Sequence, residues 1–236
     1  MTKEAEITLS GGLINRVTRI GDNVHRTMLW DRSVQHQLLL HLETKGFSQA
    51  PRFLGFDEQG REMLTYLPGE VPVGVSGFTD KQLMAAARLL RRYHDATETF
   101  PLVRERGAEV MCHNDWTPAN TVFSDDLPTG MIDFDTAAPG TRLWDVVFSI
   151  WTWLDLGDTD YSAGEQIRRI VLFGDAYDHP TCTLLNVAGY LPARQAGVAR
   201  WAEQRGMTDG ANWARRCLNW TLQHITEPLH PSGRPE

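Results

Sequence analysis

Polar and apolar positions alternate over residues 13–20 and 24–29, with Gly21-Asp22-Asn23 between the two runs, a pattern that predicts a β-hairpin. The rhythm then changes. Val34, Leu38, Leu39 and Leu42 recur at helical spacing, and Gly46 marks the end of that helix. A second alternating pair, 52–56 and 61–67, turns at Asp57-Glu58-Gln59-Gly60, so the first part of the chain should be a small sheet with one helix. Pro68, Gly69, Pro72 and Gly74 then punctuate a connector. Thr79-Asp80-Lys81-Gln82 is a capping box opening a helix with Leu83, Ala86, Leu90 and Tyr93 or His94 on one face. Residues 121–123 and Met131-Ile132 read as strands around a turn at 124–130. Beyond Asp145 the pattern is helical, over 146–156, 162–177, a segment begun by Pro192 and running to Arg205, and 209–225. The expectation is an α+β chain of two lobes: a small one over 1–67, a connector at 68–78, a helical lobe over 79–227 and a loose tail from 228.

Composition narrows the function classes. A chain of 236 residues, 42% hydrophobic and 22% charged, has material for one large domain or two small lobes. Its net charge of −7 disfavours nucleic-acid binding and attracts cationic small molecules over long range. Cys112, Cys182 and Cys217 lie far apart without a Cys-x-x-Cys pair, which suggests neither a zinc site nor a disulfide framework and suits a reducing cytoplasm. Residues 1–6 carry acids and no apolar core, unlike a secretory signal. The most apolar stretch, 146–156, is too short to cross a bilayer and contains Asp155, so no membrane association is expected.

The chemistry concentrates between His113 and Asp135. His113-x-Asp115-x-x-x-x-Asn120 is followed 18 residues after Asp115 by Asp133, flanked by Ile132 and Phe134. Phosphoryl transfer requires a carboxylate beside a hydroxyl and oxygen ligands for a hard cation. Asp115 supplies the first; Asn120 and Asp133 supply the second. The predicted hairpin brings Asp133 back beside Asn120. Asp135 points to the same side if the strand continues, where it binds a second metal or merely begins a turn.

On these residues the chain resembles the aminoglycoside phosphotransferase and choline kinase group, relatives of protein kinases, whose catalytic loop runs His-Gly-Asp-x-x-x-x-Asn before an Ile-Asp-Trp-Glu type strand. The resemblance implies a two-lobed, protein-kinase-like fold and a transfer of the γ-phosphoryl group from ATP, or GTP, with Mg2+, to a hydroxyl of a small molecule. By the same match Asp115 is the catalytic aspartate, His113 the loop histidine that helps hold the loop's shape, and Asn120 and Asp133 the metal ligands. Residues 138–145, Ala-Pro-Gly-Thr-Arg-Leu-Trp-Asp, resemble the family's Gly-x-Pro-x-x-Asp-Leu-Ala stretch, in which Asp145 braces the catalytic loop. Asn114 stands where the family has glycine; Asn tolerates positive φ better than most residues.

Towards the N-terminus the match thins. Gly11-Gly12 and Asn15 resemble a shortened phosphate-covering loop, although two adjacent glycines equally make an ordinary turn. Arg26, or else His25, falls where the family places a phosphate-holding basic residue. The next helix offers Gln35, His36 and Gln37 but no well-placed glutamate to pair with it, Glu43 lying towards its end. Either phosphate is held without that ion pair or the nucleotide pocket has degenerated. A catalytically inactive nucleotide-binding protein is therefore an alternative, and a two-metal hydrolase using His113, Asp115, Asp133 and Asp135 a third. The tryptophans of the helical part invite a quaternary-ammonium cage but at helical spacing favour packing, and Asp155, Asp158 and Asp160 read as solvated loop acids.

Overall fold

The computed structural model describes residues 6–8, 17–72, 74 and 77–229. Five strands, β1 (Glu6–Thr8), β2 (Val17–Ile20), β3 (Asn23–Arg26), β4 (Phe53–Phe56) and β5 (Glu62–Thr65), form an antiparallel sheet in the order β1-β2-β3-β5-β4. The β2–β3 turn is two residues, Gly21-Asp22, with Gly21 at φ 59°, because Asn23 already pairs with Ile20. Helix α1 (Ser33–Thr44) buries Leu38, Leu39 and Leu42 and stacks His36 on Phe53 of β4.

The connector is pinned to the second half of the chain. Glu70 and Phe123 exchange two backbone hydrogen bonds, at 2.9 and 2.7 Å. Gly69 makes this possible: its φ is 141°, and a Cβ there would lie 2.3 Å from the Phe123 carbonyl oxygen.

Seven helices dominate the described residues: α1, α2 (Asp80–Thr97), α3 (Pro101–Arg106), α4 (Arg142–Leu154), α5 (Ala163–Tyr177), α6 (Leu184–Gln204) and α7 (Thr208–Thr221), the last running into a π-helical turn, Leu222–Thr226, and a final short turn. The Thr79 capping box forms, its hydroxyl accepting from Gln82 N and the Gln82 Oε1 accepting from Thr79 N. Helix α4 is buried on nearly every side and carries Trp151 and Trp153 into the core with Trp116. Two ribbons complete the central segment: β6 (Val110–Cys112) with β9 (Ala138–Gly140), and β7 (Thr121–Ser124) with β8 (Leu127–Met131). The fold is α+β, a small antiparallel sheet beside a mainly helical part. No described helix is long and apolar enough to cross a membrane.

Three expectations change. The turn of the central hairpin is Asp125-Asp126, both at positive φ, so Pro128 and Gly130 lie within β8, and a bulge between Val122 and Phe123 absorbs the irregularity. Pro192 does not start a helix but sits inside α6. Proline removes the bond to the carbonyl four residues back, Ala188, and the Thr226 hydroxyl donates to that oxygen at 3.5 Å instead. Finally, the strand entering the site stops at Met131: Asp133 adopts the left-handed conformation (φ 63°) and heads a short 3-10 turn, Phe134–Thr136. The tail from residue 230 lies outside the described residues.

Candidate active site

Asp115 lies in the loop between β6 and the 3-10 turn Pro118–Asn120, and its shape is set from below by Asp145 in the first turn of α4. Asp145, fully buried, accepts the backbone N–H of His113 (2.7 Å) and of Asn114 (2.8 Å), one on each carboxylate oxygen. His94 Nε2 donates to the same carboxylate at 2.9 Å, and His94 Nδ1 accepts from the Tyr177 hydroxyl at 2.6 Å. Burial pushes the Asp145 pKa up, but its histidine and backbone partners outweigh this and hold it below the ordinary value. A buried carboxylate so satisfied fixes two consecutive peptide groups, and with them the direction of the next side chain, Asp115. Asn114 takes φ 65° and donates from Nδ2 to Thr136 O at 3.0 Å, joining the loop to the turn after Asp133.

His113, expected beside Asp115 in the catalytic loop, is sealed from solvent. Its Nε2–H donates to Ile132 O at 3.1 Å, and burial lowers its pKa to about 4, so the ring is neutral at pH 7. Fully buried, it holds the loop against the residue preceding Asp133. The two-metal reading needed it as a ligand and loses it here. Among the described residues no three His, Cys, Asp or Glu side chains converge as a metal-ligand group.

Asn120 donates from Nδ2 to the Asp115 backbone oxygen (2.8 Å) and to Asp115 Oδ2 (3.0 Å), while its own carbonyl oxygen accepts Ile132 N at 3.0 Å. The amide side chain is thereby oriented with its nitrogen on Asp115, leaving Oδ1 to accept or to ligate. Burial, and then the charge of Asp133, raises the Asp115 pKa to about 6. The two carboxylates therefore sense one another across the loop. Asp133 remains 45% exposed at its side chain, and burial and Asp135 raise its pKa. One carboxamide and one partly accessible carboxylate, both hard oxygen donors beside excess negative charge, suit Mg2+ completed by phosphate and water.

Opposite these groups, Arg26 of β3 divides its guanidinium among three acids. Nε donates to Glu62 Oε1 at 2.7 Å, Nη1 to Asp133 Oδ1 at 3.1 Å and Nη2 to Asp135 Oδ1 at 2.9 Å. Glu62 is the missing acid partner. It comes not from α1 but from β5, directly across the ladder from Arg26, and is fully buried. Its Oε2 also meets His36 Nε2 (2.7 Å) and Arg32 Nε (3.3 Å), and Arg32 Nη1 contacts Asp135. Burial alone would lower the Arg26 pKa; Asp135, Glu62 and Asp133 outweigh it and the net shift is upward. Asp135 is held low by Arg26 and Arg32 against its burial. Asp135 thus reaches the site although the strand has ended, because the left-handed Asp133 folds the turn back onto Arg26. His25 faces away, bonding Asp57 Oδ2 at 2.8 Å. Gly11, Gly12 and Asn15 lie outside the described residues.

Sequence reasoning missed Glu62, Arg32 and Arg194. The first had a signal: Glu62 shares the inward register of β5 with Leu64. Arg194, from α6, donates from Nη2 to Asn114 O at 2.8 Å.

Residues 97–180 match the model of the phosphotransferase enzyme family, APH. The central segment is similar to the phosphotransferase enzyme family. That segment contains the whole run from His113 to Asp145. Over 93% of its length the chain is 29% identical to a trifolitoxin immunity protein from Rhizobium leguminosarum bv. trifolii, covering 95% of that protein. Its fold is similar to choline kinase LicA from Streptococcus pneumoniae (15% identity, 93% of this chain and 94% of that one, TM-score 0.62). It is similar also to the APH(2")-IIa of a gentamicin complex (15% identity, 94% and 92%, TM-score 0.59). The matched segment therefore sits on a protein-kinase-like fold similar to that of choline kinases and aminoglycoside phosphotransferases.

Proposed function

We propose that the protein is a phosphotransferase that moves the γ-phosphoryl group of ATP to a hydroxyl of a small molecule with Mg2+ bound. The observation that carries this reading is the pairing of Asp115, with its pKa raised to about 6, with Asn120 and Asp133 in one loop-and-turn unit. Asp115 orients the acceptor hydroxyl and takes its proton as the new O–P bond forms and the bond between the γ-phosphorus and the bridging oxygen breaks, releasing ADP. Asn120 Oδ1 and Asp133 would hold a divalent cation, which would supply charge neutralisation at the phosphates. Arg26 turns from the carboxylates to phosphate oxygens, a ligand its planar fork suits. Asp145 and His113 position the loop. The lobe division at residues 68–78 belongs to this reading, with the connector beside the nucleotide.

The likeness to an immunity protein supports a protective role, with phosphorylation as the means of disarming a toxin. A second reading, an inactive nucleotide-binding protein, is favoured by the Arg26 contacts to Asp133 and Asp135, which occupy the groups that would receive the cation. ADP release measured with MgATP against a panel of hydroxyl compounds separates the two. Acceptor-dependent ADP supports the enzyme; a Tm increase with MgATP without ADP supports the inactive form.

A further inference from the structure

The described arginines buried beside the loop and the sheet are matched with acids: Arg26 and Arg32 with Glu62 and Asp135, Arg142 with Asp95 and Glu98. Arg194, partly buried, is not. It makes no ion pair among the described residues, its Nε is buried without a partner, and its bond from Nη2 goes to a neutral carbonyl, Asn114 O, one residue before Asp115. Burial lowers its pKa against the nearby carboxylates of Asp145 and Asp115. A partly buried cation with no direct ion pair, bonded one residue before Asp115, keeps donor capacity that an anion would complete.

The surroundings point the same way. The Arg194 guanidinium lies over the rings of Trp144 (4.7 Å) and Phe148 (4.5 Å), so the aromatic faces nearest the loop are already covered by the protein's own cation. Trp116, Trp151 and Trp153 are sealed in the core and form no open cage for an ammonium group. The acids Asp155, Asp158 and Asp160 follow the far end of α4. Asp155 is about 15 Å along the helix from Asp145 at 1.5 Å per residue, and Asp158 is committed to its own loop through Asp160 N and Gln166.

We propose that Arg194 selects an acceptor with a carboxylate close to the hydroxyl that is phosphorylated, which makes hydroxy acids the substrate class rather than amino alcohols or amino sugars. This rests on Asp115 being the phosphoryl-transfer base. The carboxylate bridges to the guanidinium while the hydroxyl faces Asp115, and a cationic acceptor is repelled at the same place.

The test compares glycerate and gluconate with glycerol and glucose, and with choline, ethanolamine and kanamycin, in the wild type, Arg194→Gln and Arg194→Lys. ADP release and ligand-induced Tm shifts are both read, with circular dichroism to verify folding. A carboxylate that raises the Tm of the wild type but not of folded Arg194→Gln is the expected result. For an acceptor that is turned over, KM for the carboxylate rises ~10–100-fold in Arg194→Gln, the loss expected for a charge-assisted hydrogen bond, and Arg194→Lys restores part of it. Preference for choline or kanamycin, an unchanged KM in Arg194→Gln, or no Tm shift with either carboxylate overturns the proposal. Carboxylate binding through Arg194 with no turnover of any compound leaves the anion site standing and removes phosphoryl transfer instead.

Discussion

Replacing Asp115 with Asn should make the protein more stable at neutral pH while disabling it, and the size of the effect follows from the site. The carboxyl has a pKa of about 6 in the folded chain against 3.8 ordinarily, because it is largely buried and faces Asp133. A raised pKa means that the folded state holds the proton more tightly than the unfolded state. Its stabilising contribution is full below pH about 4 and is lost as pH rises through about 6. The whole shift corresponds to about 3 kcal/mol, and partial solvent access reduces this to about 2 kcal/mol. Asn is isosteric and neutral, and its oxygen still accepts from Asn120 Nδ2. Thermal unfolding without nucleotide or divalent cation should therefore show Asp115→Asn about 4–8 °C above wild type at pH 7.5, the gap closing by pH 4. Turnover should fall ~10²–10⁴-fold. A variant no more stable than wild type at pH 7.5, or a gap indifferent to pH, would refute the claim that this carboxylate is held ionised against its surroundings.

The same carboxylate gives kcat/KM an acid limb near pH 6, since the base must be deprotonated; a flat profile from pH 5 to 8 contradicts it. Arg26→Ala leaves Glu62, fully buried, with only His36 and Arg32, and should destabilise the fold by about 3 kcal/mol in urea unfolding. An unchanged midpoint would mean the cluster is not coupled to folding. Gly69→Ala places a methyl group 2.3 Å from the Phe123 carbonyl at a φ of 141° and should lower stability by more than about 2 kcal/mol, loosening the connector. Normal stability in that variant would show that the Glu70–Phe123 pairing is dispensable.

What was legible in the sequence depended on how local the cause was. The Thr79 cap, the first hairpin and the first helix arise from neighbours within a few positions, and they stand close to where pattern alone puts them. The spacing from His113 to Asp145 carried the family resemblance because those residues lie on consecutive elements. Pro192 misled because a proline ordinarily starts or breaks a helix, and the hydroxyl that accommodates it, Thr226, is 34 positions away. Strand register hid Glu62. The expected acid partner of Arg26 lies along α1, whereas the ladder sets Arg26 opposite Glu62 across two strands. Arg194 gave no sequence signal, since only the packing of α6 on α4 brings it under the loop.

The most direct test of the proposed chemistry follows labelled γ-phosphoryl groups from ATP into acceptor by phosphorus NMR, using wild type and Asp133→Ala with and without Mg2+. The account predicts a phosphomonoester of the acceptor that requires Mg2+ and falls by at least ~10²-fold in Asp133→Ala while that variant remains folded. Transfer that proceeds equally without Mg2+ or without the Asp133 carboxylate would contradict it.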